Sequence, residues 1–393
     1  MAREGLSDNG MKCHGDQTRQ HCLLIYIEPT PYILGLLREI EQLSTSPIKV
    51  IFLNRDLTQP WGINLEQKNV CCLPKGRWQS LREMYRAVSE RPAIIHLAGW
   101  SQPLILVALV LAKIMQVPVT IESDTQLPFE LPMWKKIVKS QLYPWFFRPV
   151  DGFFPGGTRQ SKYLRYYGVP ERKIRVAQMT VDVKLIQQTC RKLGADGRTH
   201  VRKKMGINET STVFVFVGRL VSYKGIADLL EAFERISCDI SEAVLLIVGE
   251  GPELERVVSS ARINSAIHFT GRLEQKAVIE MLHAADISVV PSYLDQWGLV
   301  VNEAMAAGLP VIASDRVGAV DDLVLDGKTG IVFKCGDVDA LFRAMECLSL
   351  NGQLREEYAD AGNRLISGWK LSDSAEIIVH GWQQIVQQRV ETC

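Results

Sequence analysis

Short apolar runs rich in β-branched residues alternate with segments of helical period along almost the whole chain, and that alternation leaves few folds open. In the first half the runs fall at residues 22–27, 49–53, 93–97, 118–121 and 152–154, with helical patterns at 32–43, 77–88 and 102–115. In the second half they recur at 213–217, 244–248, 267–269, 287–290 and 310–313. Strands apolar on both faces belong to parallel sheets covered on each side by helices. Two such sets within 393 residues predict an α/β protein of two doubly wound domains. The boundary is expected within residues 183–205, where Lys, Arg, Gly and Asp displace the apolar runs. That gives a first domain over 21–190 and a second over 200–370. A terminal helix over 375–393, patterned by Ile377, Ile378, Trp382 and Ile385, is expected to cross back and brace the first domain.

Composition narrows the class further. With 47% hydrophobic and 23% charged residues, the chain is globular rather than disordered, collagen-like or many-spanning. The net charge of +1 hides an asymmetry: residues 1–200 carry +10 and residues 201–393 carry −9, so the halves are expected to face different partners. Nine cysteines, an odd number with Cys71 and Cys72 adjacent, read as reduced thiols of a cytoplasmic protein. Residues 1–20 are polar and lack the apolar centre of a secretory leader. The longest solid apolar stretch, 104–112, falls short of the roughly 20 residues that span a bilayer. No spanning helix and no metal-ligand cluster are expected.

The chemistry concentrates in the second half. The run at 213–217 leads into Gly218, Arg219 and, after four residues, Lys224 and Gly225, then a helix with Ile226, Leu229, Leu230 and Phe233 on one face. A strand, a glycine loop and a helix start make an anion site, because unpaired backbone N–H groups and the helix dipole point at the ligand. Arg219 offers a fork of donors and Lys224 a mobile charge, which suits a diphosphate. In isolation such a loop is more often merely solvated. Gly249-Glu250-Gly251-Pro252 reads as a tight turn and lacks the dinucleotide fingerprint. Asp295 and Glu303 then flank the start of a second helix, with Gly298 and Leu299 supplying backbone donors between them. Carboxylates so placed can hold sugar hydroxyls beside a phosphate. Either one alone would be a capping or solvated residue.

The segments GRLVSYKGIADLLEAF, LLIVGEGPE, IHFTGRL, HAADISVVPS, DQWGLVVNEAMAAGLPVIAS and GKTGIVF occur in order across the second half. Together they resemble the retaining nucleotide-sugar glycosyltransferases of family four, which have the GT-B fold. The stretch 151–182 resembles that family's approach to the interdomain linker. The resemblance implies that Gly218, Arg219 and Lys224 bind the donor diphosphate and Glu303 the nucleotide ribose. It places Gly271 and Leu273 near the base, and Trp297, Gly298 and Leu299 near the sugar and phosphate. Asp295 takes the first position of the E-x7-E motif, one methylene shorter than Glu. The implied donor is a nucleotide sugar of the UDP or GDP type, used as co-substrate without a separate cofactor. The implied acceptor is lipid-linked or a saccharide.

The first half departs from relatives in two places. A Gly-rich loop after the first strand is replaced by Glu28-Pro29-Thr30-Pro31-Tyr32, and the expected His near the cleft by Glu122-Ser123-Asp124-Thr125. At the carboxyl end of a parallel strand, Glu122 or Asp124 would either orient and deprotonate an acceptor hydroxyl or cap the following segment. His96 reads more readily as a core histidine. In 133–145, Lys135, Lys136 and Lys139 share one sector of a helical wheel beside Trp134 and Trp145. This suits contact with an anionic membrane surface from the cytoplasmic side, or an ordinary packed helix. No nucleic-acid module accompanies the basic charge. Two rivals to transfer remain open: a nucleotide-sugar-binding scaffold without activity, and a sugar-nucleotide epimerase.

Overall fold

A computed structural model describes residues 21–55, 69–129, 132–261 and 264–392. The polar stretch 1–20 lies outside the described residues. The fold holds two six-stranded, all-parallel sheets. The first contains β1 (Cys22–Tyr26), β2 (Ile48–Phe52), β3 (Val70–Cys72), β4 (Ile94–Ala98), β5 (Val119–Ser123) and β6 (Gly152–Pro155), in the order β3-β2-β1-β4-β5-β6. The second contains β7 (Thr212–Val217), β8 (Ala243–Val248), β9 (Ile267–Gly271), β10 (Ile287–Val290), β11 (Val311–Ser314) and β12 (Gly330–Phe333). Its order, β12-β11-β10-β7-β8-β9, is the same topology repeated. In both sheets the order reverses beside the first strand, which opens a crevice at the carboxyl ends of the strands. Two doubly wound domains facing one another make this the GT-B fold, as the strand pattern and the resemblance led us to expect.

Each sheet is buried on both faces. Leu23, Ile25, Ile95, Leu97 and Val119 point into one first-domain core, and Leu24, Tyr26, Val50 and Phe52 into the other. Successive strand residues alternate between the two sides, so an unbroken apolar strand is needed to fill both. Two short strands escaped the sequence reading. β3 and β12 lie at sheet edges and are three and four residues long.

Residues 183–204 are helical, apart from Gly194 at φ 57°, and pack on the second domain. Ile186, Cys190 and Val201 enter its core, and the buried Arg202 pairs with Asp286 at 2.8 Å. The polar residues that looked like a linker are the outer face of this segment. Beyond the second domain, the helix Leu371–Thr392 packs on the first, where Ala375, Ile378, Val379, Trp382 and Ile385 are buried against the helix Pro31–Leu43 and the sheet.

Candidate active site

A cleft of about 950 Å3 lies between the carboxyl edges of the two sheets. Its second-domain wall is built from the loops that follow β7, β8, β9 and β10. After β7 the chain passes through Gly218 and Arg219 to Lys224, then turns into the helix Ile226–Asp239 at Gly225. Gly225 sits at φ +71°, and a Cβ there would collide with the carbonyl of Pro291, so the sharp entry demands glycine. No side chain caps this helix, and Lys224 Nζ is 2.5 Å from Asp295 Oδ2.

The second helix start is made in the same way. Gly298, at φ +91°, precedes the helix Leu299–Ala306, again with no side-chain cap. Asp295, Gly298, Leu299 and Glu303 all line the cleft together with Arg219 and Lys224. Burial lifts the Glu303 carboxyl to about 7, beside cations and helix N–H groups. Leu273 lines the cleft, while Gly271, at φ +67°, accepts a hydrogen bond from the Gly249 N–H at 2.9 Å and supports the wall from behind.

Trp297 requires a correction. Its side chain turns out of the cleft and is only 3% exposed. It stacks on Trp369 with ring centres 5.5 Å apart and donates to Asn302 Oδ1 at 2.8 Å. A Cβ on Gly157 of the first domain would strike this ring. The resemblance places Trp297 near the sugar and phosphate, but the size and apolar body of its indole suit the domain junction.

On the first-domain side, Glu122 accepts from the Tyr26 hydroxyl at 3.1 Å and lies 3.4 Å from His96 Nε2. His96 is fully buried, touches Thr120 Oγ1 at 2.9 Å and packs edge-on against Trp382, as a core histidine does. Glu122 is therefore held by the protein. Asp124 is exposed, and neither it nor Glu122 is among the residues that line the cleft. Desolvation by the surrounding walls raises the pKa of Asp124, and the nearby carboxylates of Glu122 and Asp295 raise it further.

The wall opposite these loops had no signature in the motifs. The helix Pro31–Leu43 turns Tyr32, Gly35 and Arg38 toward the cleft, at a spacing of three, with Glu41 beyond. The position of this helix after the first parallel strand was the available signal. Beside the cleft the two domains clasp each other. Gln126 Nε2 donates to the Asp295 carbonyl at 2.7 Å and Gln160 Nε2 to the Gln296 carbonyl at 2.6 Å. Arg159 pairs with Asp321 at 2.8 Å.

Residues 197–365 match the family model described as glycosyl transferases group 1. The chain is 32% identical over 142 residues to the N-acetyl-alpha-D-glucosaminyl L-malate synthase of Bacillus anthracis, covering 35% of this chain and 36% of that protein. It is 27% identical over 282 residues to the D-inositol 3-phosphate glycosyltransferase of Geodermatophilus obscurus, covering 68% and 58%. Both matches span less than two thirds of the relative's length. Among solved structures, Anabaena HepE in complex with UDP and glucose superposes with a TM-score of 0.72 at 18% identity, over 94% of this chain and 98% of that one. Over residues 197–365, the chain is thus similar to the group 1 glycosyl transferases.

Proposed function

We propose that the protein moves a sugar from a nucleotide-sugar donor of the UDP or GDP type to a hydroxyl of a glycolipid or growing polysaccharide, with retention of configuration and without a divalent metal. The observation that carries the reading is the convergence of Arg219, Lys224, Asp295 and Glu303 on one cleft beside two uncapped helix starts. Arg219 and Lys224 would take the charge that develops on the departing diphosphate, aided by the helix N–H groups. Lys224 is paired with Asp295. A diphosphate competes for the ammonium and releases the Asp295 carboxylate toward the donor sugar. Glu303 would hold the ribose hydroxyls. Of the two first-domain acids, Asp124 is the better placed to receive the acceptor proton, since Glu122 is occupied by Tyr26 and His96.

The test is nucleotide release from a panel of UDP-, GDP- and ADP-sugars, with and without membrane lipid extract and with EDTA. Acceptor-dependent release from one donor that survives EDTA, with sugar found joined to the acceptor, is the expected result. Release of an epimerised sugar without any acceptor would replace transfer by epimerisation. Donor binding with no release under any acceptor would leave a binding scaffold.

A further inference from the structure

The helix Met133–Phe147 is anchored at its carboxyl end alone. Phe147 is buried, and Tyr143 and Phe146 are partly buried against the first-domain core, but the preceding turns project from it. Its orientation is inverted relative to an ordinary surface helix. At about 100° per residue, Lys135, Lys136 and Lys139 share a sector of about 120° with Tyr143 and Phe147, which is the side toward the domain. Met133, Trp134, Ile137, Val138 and Trp145 fill the opposite side, within about 140°. Trp134 is 64% and Trp145 71% exposed. A water-facing helix turns its apolar stripe inward; this one turns that stripe outward, with Lys135 and Lys136 also exposed at its flank.

The helix Pro103–Ile114 packs into the same core and likewise exposes an apolar row, Leu106, Val110 and Ile114, one turn apart. Residues 131–150 contain no Asp or Glu, and four of them are Lys or Arg. Among the described residues no helix is long and apolar enough to cross a membrane. We infer that the first domain docks on an anionic lipid bilayer through this helix, with its tryptophan side sunk to the acyl boundary and its lysines at headgroup level.

The chemistry favours lipid over a second copy of the chain. Two copies meeting on this face would set two lysine-flanked helices side by side, with no acid in residues 131–150 of either to offset the charge. A bilayer takes up the apolar side, and anionic headgroups pair with ammonium groups that reach up from the helix flank. The inference does not depend on the transfer reaction, because no residue of the helix lines the cleft.

Co-sedimentation tests it, using vesicles of phosphatidylcholine alone and vesicles containing one part in four phosphatidylglycerol. The full chain should pellet with the anionic vesicles and much less with the neutral ones, and raised salt should weaken the binding. A Lys135→Gln/Lys136→Gln/Lys139→Gln variant should bind on the order of a hundredfold more weakly, at about 1 kcal/mol per lysine lost. A Trp134→Ser/Trp145→Ser variant should bind at least about tenfold more weakly, since both indoles lie on the inserted side. All replaced side chains are solvent-facing, and an unchanged circular dichroism spectrum and melting temperature would show that both variants fold. Failure to bind either vesicle, or equal binding to both, would overturn the inference. So would lipid-free self-association that the tryptophan substitutions dissolve, because a second copy would then cover the face.

Discussion

Glu303 shows how a single residue's burial sets the charge of the site. Burial alone raises the Glu303 carboxyl from 4.5 to about 7. Between those values the folded chain holds a proton that the unfolded chain has released, so the contribution of this group to stability falls as pH rises through the window. Unfolding free energies measured from pH 4.5 to 8 should therefore decline more steeply for the native chain than for Glu303→Gln. Parallel curves would show that Glu303 titrates normally. The same acid predicts donor binding. If the ionised carboxylate accepts from ribose hydroxyls, affinity for a nucleotide sugar should rise toward and through pH 7 and lose that dependence in Glu303→Gln. A nucleotide sugar suits this measurement because its esterified phosphates keep a constant charge there. The residue types of this corner were readable in the sequence, because an anion site leaves a local pattern of strand, glycine, cation and helix. Their protonation was not readable, since burial depends on walls contributed by remote segments.

At the scale of elements, the domains are joined by a cap that one lends the other. The helix Thr158–Tyr166 begins at Gly157, which has no side chain to satisfy the first amides. Asp322 of the second domain does so instead, accepting from the Thr158 N–H at 2.9 Å and from its hydroxyl. A carboxylate here also meets the positive end of the helix. Asp322→Ala should cost about 1–2 kcal/mol, the usual worth of a cap, and lower the melting temperature by about 2–4 °C for each of them. Small-angle scattering should at the same time report a more open molecule. An unchanged melting temperature and radius of gyration would mean that Gln126, Gln160 and Arg159 hold the domains without it. No sequence pattern could announce this contact, for its partners stand 164 residues apart. The same limit hid the edge strands β3 and β12, too short to show a period, and the outward turn of the helix Met133–Phe147. The separation of its lysine and apolar sectors was legible; which sector meets the domain is decided by the anchoring of Phe147.

For the whole molecule, the two domains repeat one topology but do not end where their own cores end. The chain leaves the second domain near Trp369, whose carbonyl accepts from Thr180 at 3.0 Å, and finishes on the first domain in the helix Leu371–Thr392. Trp382 is the keystone of that return. It is 3% exposed, packs edge-on against His96 with centroids 5.2 Å apart, and lies over the sheet beside Phe154. A helical stripe at the end of a two-domain chain signals that it must be covered, and the first sheet needs a cover on the face that the helix Pro31–Leu43 only partly fills. Trp382→Ala removes a buried indole from that face and should destabilise the first domain by about 3–5 kcal/mol. The second domain keeps its own cores, including the Trp297–Trp369 stack, so calorimetry should resolve two transitions, the first displaced to lower temperature. If one undivided transition moved instead, the clasp at Asp322 and the returning helix would bind the halves into a single cooperative unit. Domain closure would then have to work against the whole of that stability, rather than through a junction that opens by itself.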